Sequence, residues 1–350
     1  MEIRVFDKHL NRLGTIDSFI SLLWYRKFYE SGSFELHLPL NDKNIKLLEV
    51  GNLISPEDHR DAGVIEVVQK NDQGATQTMV VNGRFLASIL DRRIIKDRIL
   101  HDDTVEKGMR KLITRMRPFS ILDVAAINNY DEYVRFQCTY KNVYDFHIKL
   151  AKASNIGFTI EPDFKNKRYV YRNFKGIDHS YYQTENSRVI FSKDRENLKN
   201  FSETISMNDY KNYVLVGGVG EGEDRILVER SNYDSEIDDL EIREIFVDAK
   251  GESKSDDISL EEYAVLLEQK ALDQLATSTV LINLTGEVIS NGYLDKWDLG
   301  DKVSLIHDSF NTKQDILITE VQELHESGKK TIIPTFGSPI PELFENDEVG

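Results

Sequence analysis

VLVGGVGEGEDRILV, residues 214–228, decides the fold class, because it reads either as a phosphate-cradling loop or as a turn between two strands. Val214–Val216 is strand-like, and glycines follow at 217, 218, 220 and 222. A dinucleotide fingerprint requires G-x-G-x-x-G and then a helix whose first amides face the pyrophosphate. The spacing of Gly218, Gly220 and Gly222 is one residue short of that pattern, and no Gly-Lys-Ser/Thr follows for a Walker loop. Arg225 to Glu229 alternates and is β-branched, so it predicts a second strand where a nucleotide site needs a helix. The glycines mark a turn in a β-rich chain.

Strand patterns continue on either side of this turn. Ser21 to Phe28 places Leu22, Trp24 and Phe28 on one face by period-two alternation, and Ser31-Gly32 turns the chain. Phe34, Leu36 and Leu38 then alternate against Glu35 and His37 until Pro39. GNLIS (51–55), AGVIEVVQK (62–70) and TMVVNGR (78–84) extend the series, and a short amphipathic helix is expected over Phe85 to Leu90. The middle of the chain changes character. Asp102 or Asp103 is expected to cap a helix running to Met116, with Val105, Met109, Leu112, Ile113 and Met116 as its apolar stripe and Pro118 beyond its end. A second helix is expected over Val143 to Ser154, stopped near Gly157, with the aromatic strands YVRFQCTY (133–140) and RYVYRNF (168–174) around it. Residues 99–189 thus read as an α+β segment between β-rich flanks. In the last third, Ser259 and Glu262 form a capping box, and Leu260, Tyr263, Leu267, Ala271 and Leu275 form one stripe. KGESKSDD (250–257) before it reads as a polar loop, and the acidic ELFENDEVG at the end as a frayed tail.

The two β-rich flanks share a spacing. Glu66 and Gly74 are eight residues apart, as are Glu320 and Gly328, while Gly74–Gly83 and Gly328–Gly337 both span nine. Gly51 and Gly300 each open a strand that ends in Ser55 or Ser304, and the second copy carries a longer loop before its glutamate. Turn glycines at matching intervals around β runs are what a duplicated β-domain leaves.

Composition bounds the function. A chain of 350 residues with 30% charged and 40% hydrophobic residues is an ordinary globular one, long enough for more than one domain. The net charge of −16 argues against a duplex-binding surface, which needs a clustered basic stripe, and against an anionic membrane surface. It is compatible with DNA that slides past without sticking. Cys138 is the only cysteine and reads as a small buried strand residue. MEIRVFDKHL reads as an amphipathic strand, not a signal peptide.

No catalytic constellation emerges. The eight histidines never fall within four residues of one another, so no H-E-x-x-H or H-x-H pair exists. The most metal-like stretch is Glu57, Asp58, His59 and Asp61, for which a solvated acidic loop is the plainer reading. No G-x-S-x-G elbow occurs, and RRIIKDR (92–98) reads as a solvated face or interface rim. No catalytic, cofactor-binding or metal residue is assigned, and no cofactor is expected. Sixty acidic residues leave open an unmarked carboxylate pair of the kind a cell-wall hydrolase uses, and the aromatic strands leave open a host-saccharide binding module.

SLLWYRKFYESGSFELHLP (21–39), VGNLI (50–54), NGRFLASILDRR (82–93) and YLDKWDLGDKV (293–303) together resemble the tail-tip hub proteins of phages and prophages. That family includes the N-terminal region of tail-associated lysins and is related to contractile-phage baseplate hubs. The resemblance spans about residue 3 to residue 337. It implies an α+β, β-rich fold with two similar β-barrel, tube-type domains and an inserted α+β domain. The boundaries expected are 1–98 for the first barrel, 99–189 for the insert, 190–222 for strands returning to the first barrel, and 223–350 for the second. The residues it carries over are structural: Gly32 in the aromatic hairpin, Gly51 and Gly300 opening the paired strands, and Asp298 with Asp301 beside the second turn. It further implies a homotrimeric, pseudo-sixfold ring that caps or adapts the tail tube in the virion. Distal tail, tail-tube or tape-measure proteins would be its partners, and genomic DNA would pass through it without sequence-specific binding. Many relatives continue into a fibre or wall-degrading domain, which this chain does not carry by residue 350, so a lytic role is not implied.

Overall fold

The computed structural model describes residues 1–74, 76–233, 236–250, 259–289 and 292–338, so most of the expected polar loop and the acidic tail lie outside the described residues. The fold is β-rich α+β, with 45% strand and 19% helix. It divides into two compact units. The first comprises residues 1–175, 211–279 and 322–330, and the second comprises 176–210, 280–321 and 331–350.

In the first unit a sheet runs in the order Ser21–Lys27, Ser33–Pro39, Gln77–Phe85, Gly63–Asp72, Leu53–Pro56, Ile3–Phe6, Arg12–Ile16. Its alternation is the one the sequence predicts. Leu22, Trp24, Phe34, Leu36 and Leu38 point into one core with Ile3, Val5, Ile54, Ile65 and Val81. Trp24 is fully buried, its ring 4.3 Å from that of Phe85 and 5.9 Å from that of Phe34. Phe28 is equally buried but packs apart from this core, edge-on against Phe174 at 5.2 Å. A Cβ on Gly32 would lie 2.3 Å from the Tyr25 carbonyl oxygen, so the turn admits no side chain. A second core joins the sheet to helices Val105–Arg115 and Val143–Ser154. A third packs Tyr213–Gly217 and its neighbours under helix Leu260–Thr277 through Tyr263, Leu267, Ala271 and Leu275.

Three local expectations need correction. Residues 86–92 form a 3-10 helix, and Leu86, Ala87, Ser88, Ile89 and Leu90 are all buried, so the segment is wrapped on every side and not amphipathic. Asp102 and Asp103 do not cap the following helix. They belong to strand Ile99–Thr104, paired with Tyr133–Cys138, and Thr104 takes the N-cap position with no side-chain bond. Asp103 spends its carboxylate on the Thr104 amide and on Lys107; pairing with the aromatic strand overrides its capping preference. Leu260 is exposed, outside the stripe it was expected to begin. The other helix signals hold. Asn142 accepts from the Tyr144 amide at 2.8 Å, and Asn155, at φ 53°, ends that helix two residues before Gly157. Ser259 and Glu262 form the reciprocal capping box.

In the second unit the strand order is Leu198–Ser206, Leu281–Val288, Lys329–Gly337, Thr312–Glu326, Lys302–His307, Ile190–Ser192, with the hairpin tip 322–330 belonging to the first unit. Phe191 packs edge-on against Trp297 at 5.3 Å and lies 5.5 Å from Phe336, over buried Leu284, Val303, Leu305 and Ile318. Six strands thus repeat, in the same spatial order and the same chain order, those of the first sheet. The turns repeat as well. Gly51 has φ +92° and Gly300 φ +91°. The Gly51 amide donates to the Ile65 carbonyl and the Gly300 amide to the Ile318 carbonyl, each at 2.8 Å, and Ile65 and Ile318 donate back to Asn52 and Asp301, again at 2.8 Å. Gly74 and Gly328 turn the matching hairpins at φ +74° and +77°. One difference is local: Ile3–Phe6 runs antiparallel to its neighbour, whereas Ile190–Ser192 runs parallel. Among the described residues no sheet closes on itself by hydrogen bonding.

Candidate functional site

The glycine-rich stretch builds no phosphate cradle. Tyr213–Gly217 and Leu227–Ser231 are antiparallel partners, as the alternation predicts. The turn between them is filled by the chain itself: Arg225 donates from Nη2 to the Gly217 carbonyl at 3.0 Å and from Nε to the Gly218 carbonyl at 3.1 Å. A Cβ at Gly218 would press on Leu267 and on Tyr263, so this glycine serves the packing of helix and sheet.

The metal-like stretch is half solvated: Glu57 and Asp58 are exposed, as an acidic loop would be, whereas His59 and Asp61 are covered. Among the described residues no group of three or more His, Cys, Asp or Glu side chains is placed to hold a metal ion. Asp61 is taken by Arg26 at 2.9 Å, with both side chains largely covered. His59 is buried and turns inward. Its ring lies 5.9 Å from Trp24, and its Nε2 is 3.2 Å from Oε2 of Glu323, on the hairpin tip that returns to the first unit. Lys330 reaches the same oxygen at 2.8 Å, with Asp58 3.8 Å from its ammonium, and His325 stands 3.7 Å from Glu323. Burial alone would raise the Glu323 carboxyl, but flanking His325 and His59 and the charge of Lys330 outweigh it and hold the group well below the usual carboxylate range. The result is an ionic knot whose central carboxylate is fully buried. It can hold the tip of one hairpin on the flank of another; it presents no nucleophile and no open coordination position.

Sequence reasoning singled out His59 but not its partner. The available signal was phase: Glu323 is two residues after buried Val321 on one strand, so alternation points both the same way. Its partner lies 264 residues away along the chain, beyond any spacing rule.

The remaining candidates are structural. Cys138 is fully buried at the end of strand Tyr133–Cys138. Within RRIIKDR, Arg92, Ile94, Lys96 and Asp97 are exposed, as a solvated face requires, while Ile95 is buried, Arg93 lies over the Phe119 ring at 3.7 Å and Arg98 donates to Gln137. Asp301 clasps the second turn, accepting from the Ile177 and Asp298 amides at 2.7 Å each; burial raises its carboxyl against those bonds. Among the described residues, no helix is long and apolar enough to cross a membrane.

No curated protein matches the chain. Its fold is shared with solved phage-tail proteins at low sequence identity. The 43 kDa tail protein of prophage MuSo2 from Shewanella oneidensis superposes with a TM-score of 0.60 at 14% identity, covering 96% of this chain and 98% of that one. The tail protein from Neisseria meningitidis MC58 gives 0.59 at 14% identity, covering 96% of each. Prophage tail protein gp18 from Listeria monocytogenes EGD-e gives 0.54 at 15% identity, covering 97% and 95%. In sequence, residues 2–338 match the family described as Siphovirus ReqiPepy6 Gp37-like protein, and the chain belongs to that family.

Proposed function

We propose that the protein is a structural hub of a phage or prophage tail tip, in which three copies form a pseudo-sixfold ring that caps or adapts the tail tube. The repeated strand order carries this reading: a chain holding two equivalent strand sets lets three copies present six equivalent positions to a sixfold tube. The first set is proposed to be the core of the tube-type domain expected within 1–98, and the second, which draws Ile190–Ser192 and Leu198–Ser206 from the stretch expected to return to the first barrel, the core of the domain expected over 223–350, with 99–189 inserted and each sheet closing into a barrel. Distal tail, tail-tube or tape-measure proteins are the proposed partners, and the virion tail tip the proposed location. The role is mechanical, with no catalytic residue. Acid in excess, −16 per chain, suits a channel that must repel DNA phosphates and let the genome pass.

Negative-stain averages of the purified protein test the reading, with threefold symmetry and a central channel expected. In a trimer structure, a channel with a net basic lining would overturn the proposed passage of DNA.

A further inference from the structure

The three-stranded sheet of Leu227–Ser231, Tyr213–Gly217 and Glu244–Asp248 carries its helix on one face only. Val214 and Val216 of the central strand, with Val228, Ile245 and Val247 of its neighbours, pack toward helix Leu260–Thr277. Alternation sends Tyr213 and Leu215 to the other face. There Leu215 stands opposite Phe246 on one side and Glu229 on the other, and Leu227 is one pair along, opposite Gly217. Leu227 and Phe246 are 53% and 50% exposed, so Leu227, Leu215 and Phe246 make an apolar row across all three strands, open to solvent at both ends.

The rim of this row is acidic. Glu229, Glu244 and Asp248 are exposed on the same face. In the turn leading into Glu244–Asp248, Leu240 is 91% exposed between Asp239 and Glu241. Residues 213–250 hold eleven Asp and Glu against four Lys and Arg, so this stretch carries −7 of the chain's −16. Arg225 shows what such a rim does with a cation: its guanidinium lies over the Phe246 ring at 5.2 Å and pairs with Asp248. Glu244, opposite Tyr213, has no ion-pair partner among the described residues.

We propose that this face docks a cationic amphipathic helix of another protein. Its aliphatic stripe lies along Leu227, Leu215 and Phe246, and Lys or Arg on its flanks meets Glu229, Glu244 and Asp248. A sheet face is buried by a second layer, whereas strand addition uses an edge. The row spans two strand spacings, about 10 Å, which is the width of one helix. The opposite face of the same sheet already takes a helix through Tyr263, Leu267, Ala271 and Leu275. Charge selects the occupant. A neutral or acidic helix would strip water from the three carboxylates and give them nothing, whereas a cationic one pairs them and sets a second cation beside Phe246. The inference is independent of the ring reading, since the whole face belongs to one chain.

The test is fluorescence anisotropy of a labelled peptide of about five helical turns, with Leu along one stripe and Lys on both flanks, titrated with the full chain. Its controls are the same peptide with Glu for each Lys and a scrambled peptide of equal composition. Wild type is expected to bind the Lys peptide and neither control. Phe246→Ser, Leu227→Ser and Glu244→Lys are each expected to weaken that binding about tenfold. All three side chains are exposed, so the variants are expected to melt as wild type does. Val50→Ser, at another exposed apolar position, is expected to leave binding unchanged. Equal binding of the scrambled peptide would reduce the attraction to net charge and overturn the site. No binding of the Lys peptide, or binding that survives all three substitutions, overturns it as well, and each of these results leaves the ring reading standing.

Discussion

Replacing Glu323 tests whether the ionic knot holds the returning hairpin. In Glu323→Ala the buried Nε2 of His59 loses its partner at 3.2 Å and the Lys330 ammonium loses a contact at 2.8 Å. Breaking a buried ion pair from one side costs about 3–5 kcal/mol. Lys330 is 29% exposed and has Asp58 within 3.8 Å, so it can turn to water or to that carboxylate, which puts the expected loss at the lower end, about 3 kcal/mol. Glu323→Gln keeps the volume and an oxygen acceptor and removes the charge, for which about 1–2 kcal/mol is expected. For a unit of this size these losses lower the melting temperature by about 6–12 °C and about 2–8 °C. Tryptophan fluorescence is a suitable probe because Trp24 lies 5.9 Å from His59. The control is Glu326→Ala, three residues on at an exposed position. If Glu323→Ala melts with that control, the knot is not what fastens the tip. If Gln and Ala lose the same amount, the negative charge fastens the knot, and neither the volume of the side chain nor its oxygen acceptor contributes.

Trp24→Ala is expected to cost about 3–5 kcal/mol, since the ring is fully buried among Phe34, Phe85 and His59; a melting shift like that of a surface substitution would contradict this packing. Gly51→Ala meets no atom within 4 Å and is opposed only by its φ of +92°, about 1–2 kcal/mol, whereas a Cβ on Gly83 would lie 1.9 Å from the Val64 carbonyl oxygen, so Gly83→Ala is expected to melt lower; the reverse order would refute the steric reading of Gly83. His147 is buried, donating Nδ1 to the Val143 carbonyl at 2.7 Å, and burial lowers its pKa from 6.5 to about 4. Below pH 6.5 the unfolded chain therefore binds a proton that the folded chain refuses, so stability falls with pH through that window and has lost about 3 kcal/mol once pH is below the folded value. Chemical denaturation from pH 7 to 4 should show this slope in wild type and a shallower one in His147→Leu; equal slopes would remove His147 as its source.

The elements themselves were legible in the sequence because local chemistry fixes them. Period-two alternation placed Leu22, Trp24, Phe34, Leu36 and Leu38 inside, the Ser259–Glu262 box started its helix, and the short glycine spacing at 218–222 excluded a phosphate loop. The intervals around Gly74 and Gly328 pointed to the matching hairpins for the same reason, since positive-φ turns admit few residues other than glycine. Tertiary structure alone decided what those hairpins touch. Asp103 has the residue type of a helix cap and became a strand residue because an aromatic strand was there to pair with it. His59 and Glu323 carry no mark of each other, being joined only when a hairpin 264 residues away returns to the first sheet. Val67 and Val321 are the same residue type, each seven residues before a turn glycine, yet one is surface and the other core, so the residue and its place in the local pattern do not decide burial. Turns and faces are set by interactions within a few residues, whereas pairing of edges is a contest among distant partners that no local pattern encodes.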